Sequence, residues 1–131
     1  MRKKLAAALA MLTLATTGTA FAATAFWQPV YYTNVGYNAS TTTKVANSNH
    51  AYIAVTGSNH NEYATNYLVT KADNGVQMTQ GVFIISNGDR SKKSNPYKSE
   101  YYQYAGNCVL RINAAQSEAN YTVWGEWNPN G

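Results

Sequence analysis

Short alternating runs of apolar and polar residues, separated by glycine and asparagine, make up most of the chain after residue 22. Alternation with a period of two is typical of half-buried β-strands, whereas the three-to-four spacing of an amphipathic helix is missing. The pattern predicts seven strands, at residues 30–35, 51–55, 63–71, 76–86, 99–104, 108–113 and 121–127. Seven short strands predict an all-β domain, either a small antiparallel β-sandwich or an open barrel, and the strand count does not separate the two.

Turn residues and alternation add local detail to this prediction. Asp73-Asn74-Gly75 supplies the positive backbone angles of a tight turn, so the third and fourth strands are expected to form a hairpin. The polar stretch 88–98 is expected to be a loop that carries the chain between sheets or across an edge. In the last two strands, Cys108 shares a face with Leu110 and Ile112, and Trp124 faces away from Tyr121 and Trp127.

The first 22 residues have a different organisation. Arg2, Lys3 and Lys4 precede an apolar run at residues 5–15, and the segment ends in Ala20-Phe21-Ala22. This is the pattern of a secretory signal peptide that is cleaved before Ala23. The apolar run is too short to be a stable bilayer anchor, and no cysteine stands at the expected cleavage site for lipid attachment. We therefore expect a single β domain at residues 23–131 that is secreted and extracellular, with no transmembrane segment.

Cleavage would also change the charge of the protein. Three of the ten Lys and Arg residues lie in the first 22 residues, which leaves seven basic residues against six acidic ones and a net charge of about +1. Nucleic-acid binding usually needs a clustered basic face, so it is not expected. All the aromatic residues except Phe21 lie in the predicted domain, where they can build a core.

Cys108 is the only cysteine, so it cannot form a disulfide within the chain. As a candidate free thiol, it is an inert core residue, a nucleophile activated by His50 or His60, or, if it faces outward, a residue that pairs between chains. These two histidines and Glu62 could supply at most three metal ligands, and they lack the close paired spacing of zinc or calcium sites. We expect no bound metal, no cofactor and no catalytic residues.

Two groups of residues are candidates for surface binding. Arg90, Lys92, Lys93 and Lys98 place four positive charges within nine residues, which could contact an anionic envelope polymer or phospholipid headgroups. The alternative is a solvated loop whose lysines keep a strand edge from aggregating. Trp124 could stack on a sugar ring, because the apolar face of a sugar packs against a flat aromatic ring. The alternative for the aromatic residues is packing in the core or on a sheet face.

Two resemblances are carried by particular segments. Residues 101–113 together with Tyr121-Thr122-Val123-Trp124-Gly125-Glu126-Trp127 resemble the ending of a family of short exported proteins of Gram-positive bacteria with no assigned function. Those proteins end in a Tyr-x-Val-x-Gly-x-Trp motif and a polar tail, and the resemblance covers roughly residues 60–131. Trp27-Gln28, Tyr37-Asn38 and His50-Ala51 are similar to lactococcin 972-like bacteriocins, small exported β proteins that act on the cell envelope of competitors.

The sequence thus predicts a secreted, non-enzymatic β protein that binds an unidentified ligand or interacts with the cell envelope. A cell-envelope polymer or a carbohydrate is the expected partner. Two alternatives stay open: a lactococcin 972-like bacteriocin, and a cell-envelope-modifying enzyme that uses Cys108.

Overall fold

The computed structural model describes residues 23–31, 37–116 and 120–131. The predicted signal peptide at residues 1–22 and most of the first predicted strand, residues 32–35, lie outside the described residues. Within the described ranges, no helix has the length and apolar character needed to cross a membrane.

The described residues include eight strands, which form two four-stranded sheets. The strands are β1 Thr24–Val30, β2 Tyr37–Lys44, β3 His50–Ser58, β4 Ala64–Lys71, β5 Phe83–Ser86, β6 Lys93–Pro96, β7 Gly106–Ala114 and β8 Tyr121–Asn128. Sheet I has the order β1-β8-β3-β6 and sheet II the order β2-β7-β4-β5, and all neighbours are antiparallel. The prediction of an all-β antiparallel protein is confirmed, and the sheets form a sandwich that does not close into a barrel.

The core lies between the two sheets and follows the alternation along the strands. In β7 the buried inward residues are Cys108, Leu110 and Ile112, as the sequence predicts. Sheet I contributes large side chains to the same core, among them Phe26, Ile53, Val123 and Trp127. The Trp127 indole also donates a hydrogen bond to Ser40 Oγ of sheet II at 2.6 Å, so its single polar atom is satisfied inside the sandwich.

The predicted hairpin after β4 is present, but its second strand is interrupted. Gly75 has a φ of 70°, and the Lys71 amide donates to Val76 O at 2.9 Å across the turn. The segment then leaves sheet II, because the Gln80 amide donates to Pro96 O of β6 at 2.9 Å. Only Phe83–Ser86 returns to pair with β4 as β5. The predicted strand 76–86 therefore links the edges of the two sheets instead of running continuously along one of them.

Two other local predictions are corrected. The predicted loop 88–98 contains β6, which pairs with the start of β3. The predicted strand 99–104 is wrong, because Ser99–Tyr101 forms a short 3-10 helix. Tyr101 and Tyr102 pack against the core from this connection between the two sheets. The first predicted strand meets the observed β1 only at Val30, and β2 was not predicted.

Candidate functional site

The outer face of sheet I carries aromatic residues that do not belong to the core. Trp27 of β1 stands directly opposite Trp124 of β8, and Trp124 stands opposite Gly57 of β3. Residues paired in this way share one face of the sheet. Trp27 is 65% exposed and Trp124 is half-buried. We call the outer surface formed by Trp27, Trp124, Gly57, Glu126 and Tyr52 the aromatic face.

A β-bulge and a glycine determine how Trp124 lies on this face. The register between β3 and β8 shifts between Val55 and Gly57, which leaves Thr56 as the extra residue. Thr56 Oγ1 donates to Trp124 O at 3.4 Å across the bulge. A β-carbon at Gly57 would overlap the six-membered ring and the Nε1 atom of the Trp124 indole. The indole therefore lies directly over the backbone of β3, in space that only glycine leaves open.

Tyr52 marks the opposite end of the aromatic face. It pairs with Asn128, four residues beyond Trp124 on β8, so the two aromatic positions are about 13 Å apart along the strand. The Tyr52 ring packs edge-on against His50 with centroids 4.9 Å apart. Lys92 Nζ lies 4.3 Å from the Tyr52 ring centre, in a cation–π contact.

Glu126 lies between the tryptophan pair and Tyr52. Its partners on the neighbouring strands are Ala25 and Ala54, whose side chains are single methyl groups. Glu126 is exposed, and in the described part of the chain no cation forms an ion pair with it. The aromatic face thus has a negative group near Trp124 and a positive group at Tyr52.

The four predicted basic residues lie in different surroundings and do not form one patch of free charge. Arg90 donates to Asn87 O and, at 3.0 Å, to Asn61 Oδ1. Lys98 is half-buried at the start of the 3-10 helix. Lys92 is the member of this group that the structure places on the aromatic face.

Lys93 Nζ forms an ion pair with Asp89 Oδ2 at 2.9 Å. A hydrogen bond from the Ser91 hydroxyl, followed by the one from Lys93, holds the pKa of the Asp89 carboxyl well below its usual range. The carboxylate therefore stays charged and offsets the charge of Lys93 at neutral pH.

Cys108 is fully buried, and its Sγ lies 3.5 Å from Thr42 O. Burial raises the pKa of the thiol to about 12, and nearby Lys44 offsets only part of this rise. The two histidines have other contacts, His50 with Tyr52 and His60 with Glu62. A buried, protonated thiol is a poor nucleophile, so this placement gives no support to the cysteine-enzyme alternative.

Lys44 is a buried charged residue at the end of β2. Its ammonium donates to three backbone carbonyls, those of Val45, Tyr102 and Tyr104, at 3.1–3.3 Å. It also lies 4.8 Å from the centre of the Tyr97 ring. Burial lowers the pKa of Lys44, but the three acceptors satisfy every proton of the ammonium.

His60 and Glu62 form a local pair between β3 and β4. His60 Nδ1 lies 2.7 Å from Glu62 Oε1, and this hydrogen bond lowers the pKa of the Glu62 carboxyl. The His60 ring stacks on Tyr63 with centroids 5.0 Å apart. Across residues 23–31, 37–116 and 120–131, no group of three His, Cys, Asp or Glu side chains is arranged to hold a metal ion.

Sequence reasoning identified Trp124 but missed the residues that surround it. Trp27 lies in β1, which the first predicted strand did not include. Alternation through residues 24–30 would have placed Trp27 opposite in facing to Phe26 and Val30. The roles of Gly57 and Glu126 depend on strand pairing, which no local pattern reveals.

Comparisons of the chain with protein-family models, with curated proteins and with solved structures found no match.

Proposed function

We propose that the protein is an exported, non-enzymatic binding protein that holds an envelope saccharide on the aromatic face of sheet I. The observation that carries this proposal is the placement of the Trp124 indole over Gly57, beside the exposed Trp27. A flat aromatic surface of this kind can stack on the apolar face of a sugar ring. Exposed aromatic patches on single domains commonly mark binding sites.

The rest of the molecule is consistent with this role. Trp127 serves the core, whereas the outward direction of Trp27 and Trp124 leaves them outside the core cluster. Glu126 and Lys92 add a hydrogen-bond acceptor and a donor at the same face. The signal-peptide pattern of residues 1–22 would deliver the protein to the compartment where envelope polysaccharides occur.

A lactococcin 972-like bacteriocin is the second candidate. It is favoured by Trp27, which lies both in a segment similar to those bacteriocins and on the aromatic face. Such a protein would bind the envelope of a competing cell through the same surface. Purified protein that leaves related bacteria growing normally would count against this candidate without affecting saccharide binding.

Saccharide binding can be tested by calorimetric titration of the purified protein with oligomers of β-1,4-linked N-acetylglucosamine. We expect Trp124→Ala to weaken binding at least about tenfold, which corresponds to about 1.4 kcal/mol. Ile84→Ala is the matched control, because Ile84 is 68% exposed but lies on sheet II. Wild-type protein that binds no oligomer, or equal losses in the two variants, would contradict the proposal.

A further inference from the structure

The position of Glu126 places a negative charge on the aromatic face next to Trp124. Glu126 and Trp124 point to the same side of β8, two residues or about 7 Å apart. On either side of Glu126, Ala25 and Ala54 present only methyl groups. A sugar ring stacked on Trp124 can therefore place a ring substituent next to the Glu126 carboxylate, because neither neighbouring strand has a large side chain at that position.

An ammonium substituent would gain more from this arrangement than a neutral one. A hydrogen bond between an ammonium and a carboxylate is roughly twice as strong as one between neutral groups. The face of an indole also attracts a nearby cation. Since Glu126 forms no ion pair with another described residue, its charge is available to a ligand.

The charge distribution limits where such a group can bind. Lys92 places its own ammonium over Tyr52, at the far end of the face. It would repel a ligand cation there, whereas Glu126 would attract one near the tryptophan pair. An amino group would thus be directed to the Trp124 end of the aromatic face.

From this geometry we infer that the preferred ligand is a glycan with free amino groups, held by stacking on Trp124 and by an ion pair with Glu126. The inference rests on the proposed function and adds the class of sugar to it. An N-acetylated sugar would keep the stacking contact but would lack the ion pair.

The test compares two probes of equal length, β-1,4-linked glucosamine oligomers and N-acetylglucosamine oligomers, by calorimetry at pH 6 and low salt. We expect the wild-type protein to bind the glucosamine oligomer about tenfold more tightly, with a preference that falls as salt is raised. Glu126→Gln should remove the preference, because the neutral amide cannot form an ion pair with the ammonium groups of the glucosamine oligomer. Glu100→Gln is the control, because it removes the same charge from the exposed 3-10 helix.

The outcomes separate this inference from the proposed function. Equal binding of both oligomers, with Trp124→Ala weakening both, would overturn the amino-sugar inference and leave saccharide binding intact. A similar loss in Glu100→Gln and Glu126→Gln would also overturn it, because net charge would then explain the preference. Failure of both oligomers to bind would contradict the proposed function itself. Thermal unfolding of each variant checks that these exposed substitutions leave the fold unchanged.

Discussion

The Trp124 indole lies over Gly57 on the neighbouring strand, in space that a β-carbon would occupy. On β1, which pairs with the other edge of β8, Trp27 stands opposite Trp124. Glycine is required at position 57 by this close approach and not by an unusual backbone angle, since Gly57 is not among the residues with positive φ. The bulge at Thr56 and the glycine together allow a large side chain to lie along the sheet surface.

Gly57→Ala should displace the indole without removing it. The added methyl group would overlap the ring, so either the ring or β3 must move. We expect the free energy of unfolding to fall by about 1–3 kcal/mol, as for other overpacked positions. Tryptophan fluorescence should shift, and saccharide binding should weaken although both tryptophans remain.

Gly81→Ala is the control for this change. Apart from Gly81 and its two chain neighbours, no residue has an atom within 4 Å of a β-carbon built at Gly81, and its φ is not positive. Stability should therefore stay the same or rise slightly, with no change in fluorescence or binding. If Gly57→Ala binds the saccharide at wild-type strength and its fluorescence is unshifted, the position of the Trp124 indole over Gly57 does not determine binding.

How well each strand could be predicted depends on its place in the sheet. All four central strands, β3, β4, β7 and β8, were predicted from alternation. Of the edge strands, β1, β2 and β6 were missed or met at a single residue, and β5 was found only as part of a longer run. Edge strands carry polar residues and proline that protect an open edge, as in Lys93–Pro96, and these residues weaken the alternating signal.

The candidate site, like the edge strands, could be predicted only in part from local sequence patterns. The outward direction of Trp124 followed from alternation within β8 alone, and the structure agrees with it. Its neighbours Trp27 and Gly57 come from β1 and β3, almost a hundred and almost seventy residues earlier. Register between distant strands is set by packing of the whole sandwich, so no local pattern could have brought these residues together.

Cys108 should make stability fall at alkaline pH. The thiol pKa is raised to about 12 in the folded protein from an ordinary value of 9.0. Between these values the folded state keeps a proton that the unfolded state loses, so the free energy of unfolding decreases as pH rises above about 9. Burial raises the pKa of Tyr67 and Tyr97 as well, which acts in the same direction, whereas the lowered pKa of Lys44 opposes it.

Urea unfolding of wild-type protein and Cys108→Ala between pH 7 and pH 11 measures this contribution. The variant should lose stability less steeply above pH 9, whatever its stability at pH 7. In the wild-type protein, the Cys108 thiol should react with a disulfide reagent at pH 8 only after urea is added. Rapid reaction of the native thiol would contradict the buried placement.

Lys44→Met should destabilise the fold by about 2–4 kcal/mol. Methionine keeps much of the side-chain volume but removes the Lys44 donor from the partly buried carbonyls of Val45 and Tyr104, and unsatisfied buried groups cost about 1–3 kcal/mol each. Tyr102 O keeps the Asn47 amide as a donor at 2.8 Å. Chemical unfolding measures the change, and Lys98→Met, at a half-buried position, should cost less than about 1 kcal/mol. Equal effects of the two substitutions would show that the carbonyl contacts contribute little.

Lys92 and Lys93 should differ in any salt-sensitive binding to anionic envelope material. The charge of Lys93 is offset by Asp89 at 2.9 Å, whereas the charge of Lys92 lies over the Tyr52 ring on an outer surface. We expect Lys92→Ser to reduce cosedimentation with anionic vesicles or wall polymer more than Lys93→Ser, and the double variant to abolish its salt dependence. Unchanged cosedimentation of the double variant would exclude a role for this loop.

Two buried asparagines should respond in opposite ways to substitution by leucine. The Asn87 side chain accepts from Thr65 Oγ1 at 2.6 Å and donates to His60 O at 3.0 Å, while neither amide atom of Asn95 has a hydrogen-bond partner among the described residues. Asn87→Leu should therefore lower the free energy of unfolding by about 2–4 kcal/mol, because it leaves several buried groups unpaired. Asn95→Leu should raise it by about 1–3 kcal/mol, because an unpaired amide is replaced by an apolar group of similar size. Urea unfolding of both variants checks the contrast, and a loss of stability in Asn95→Leu would mean that its amide is paired in solution.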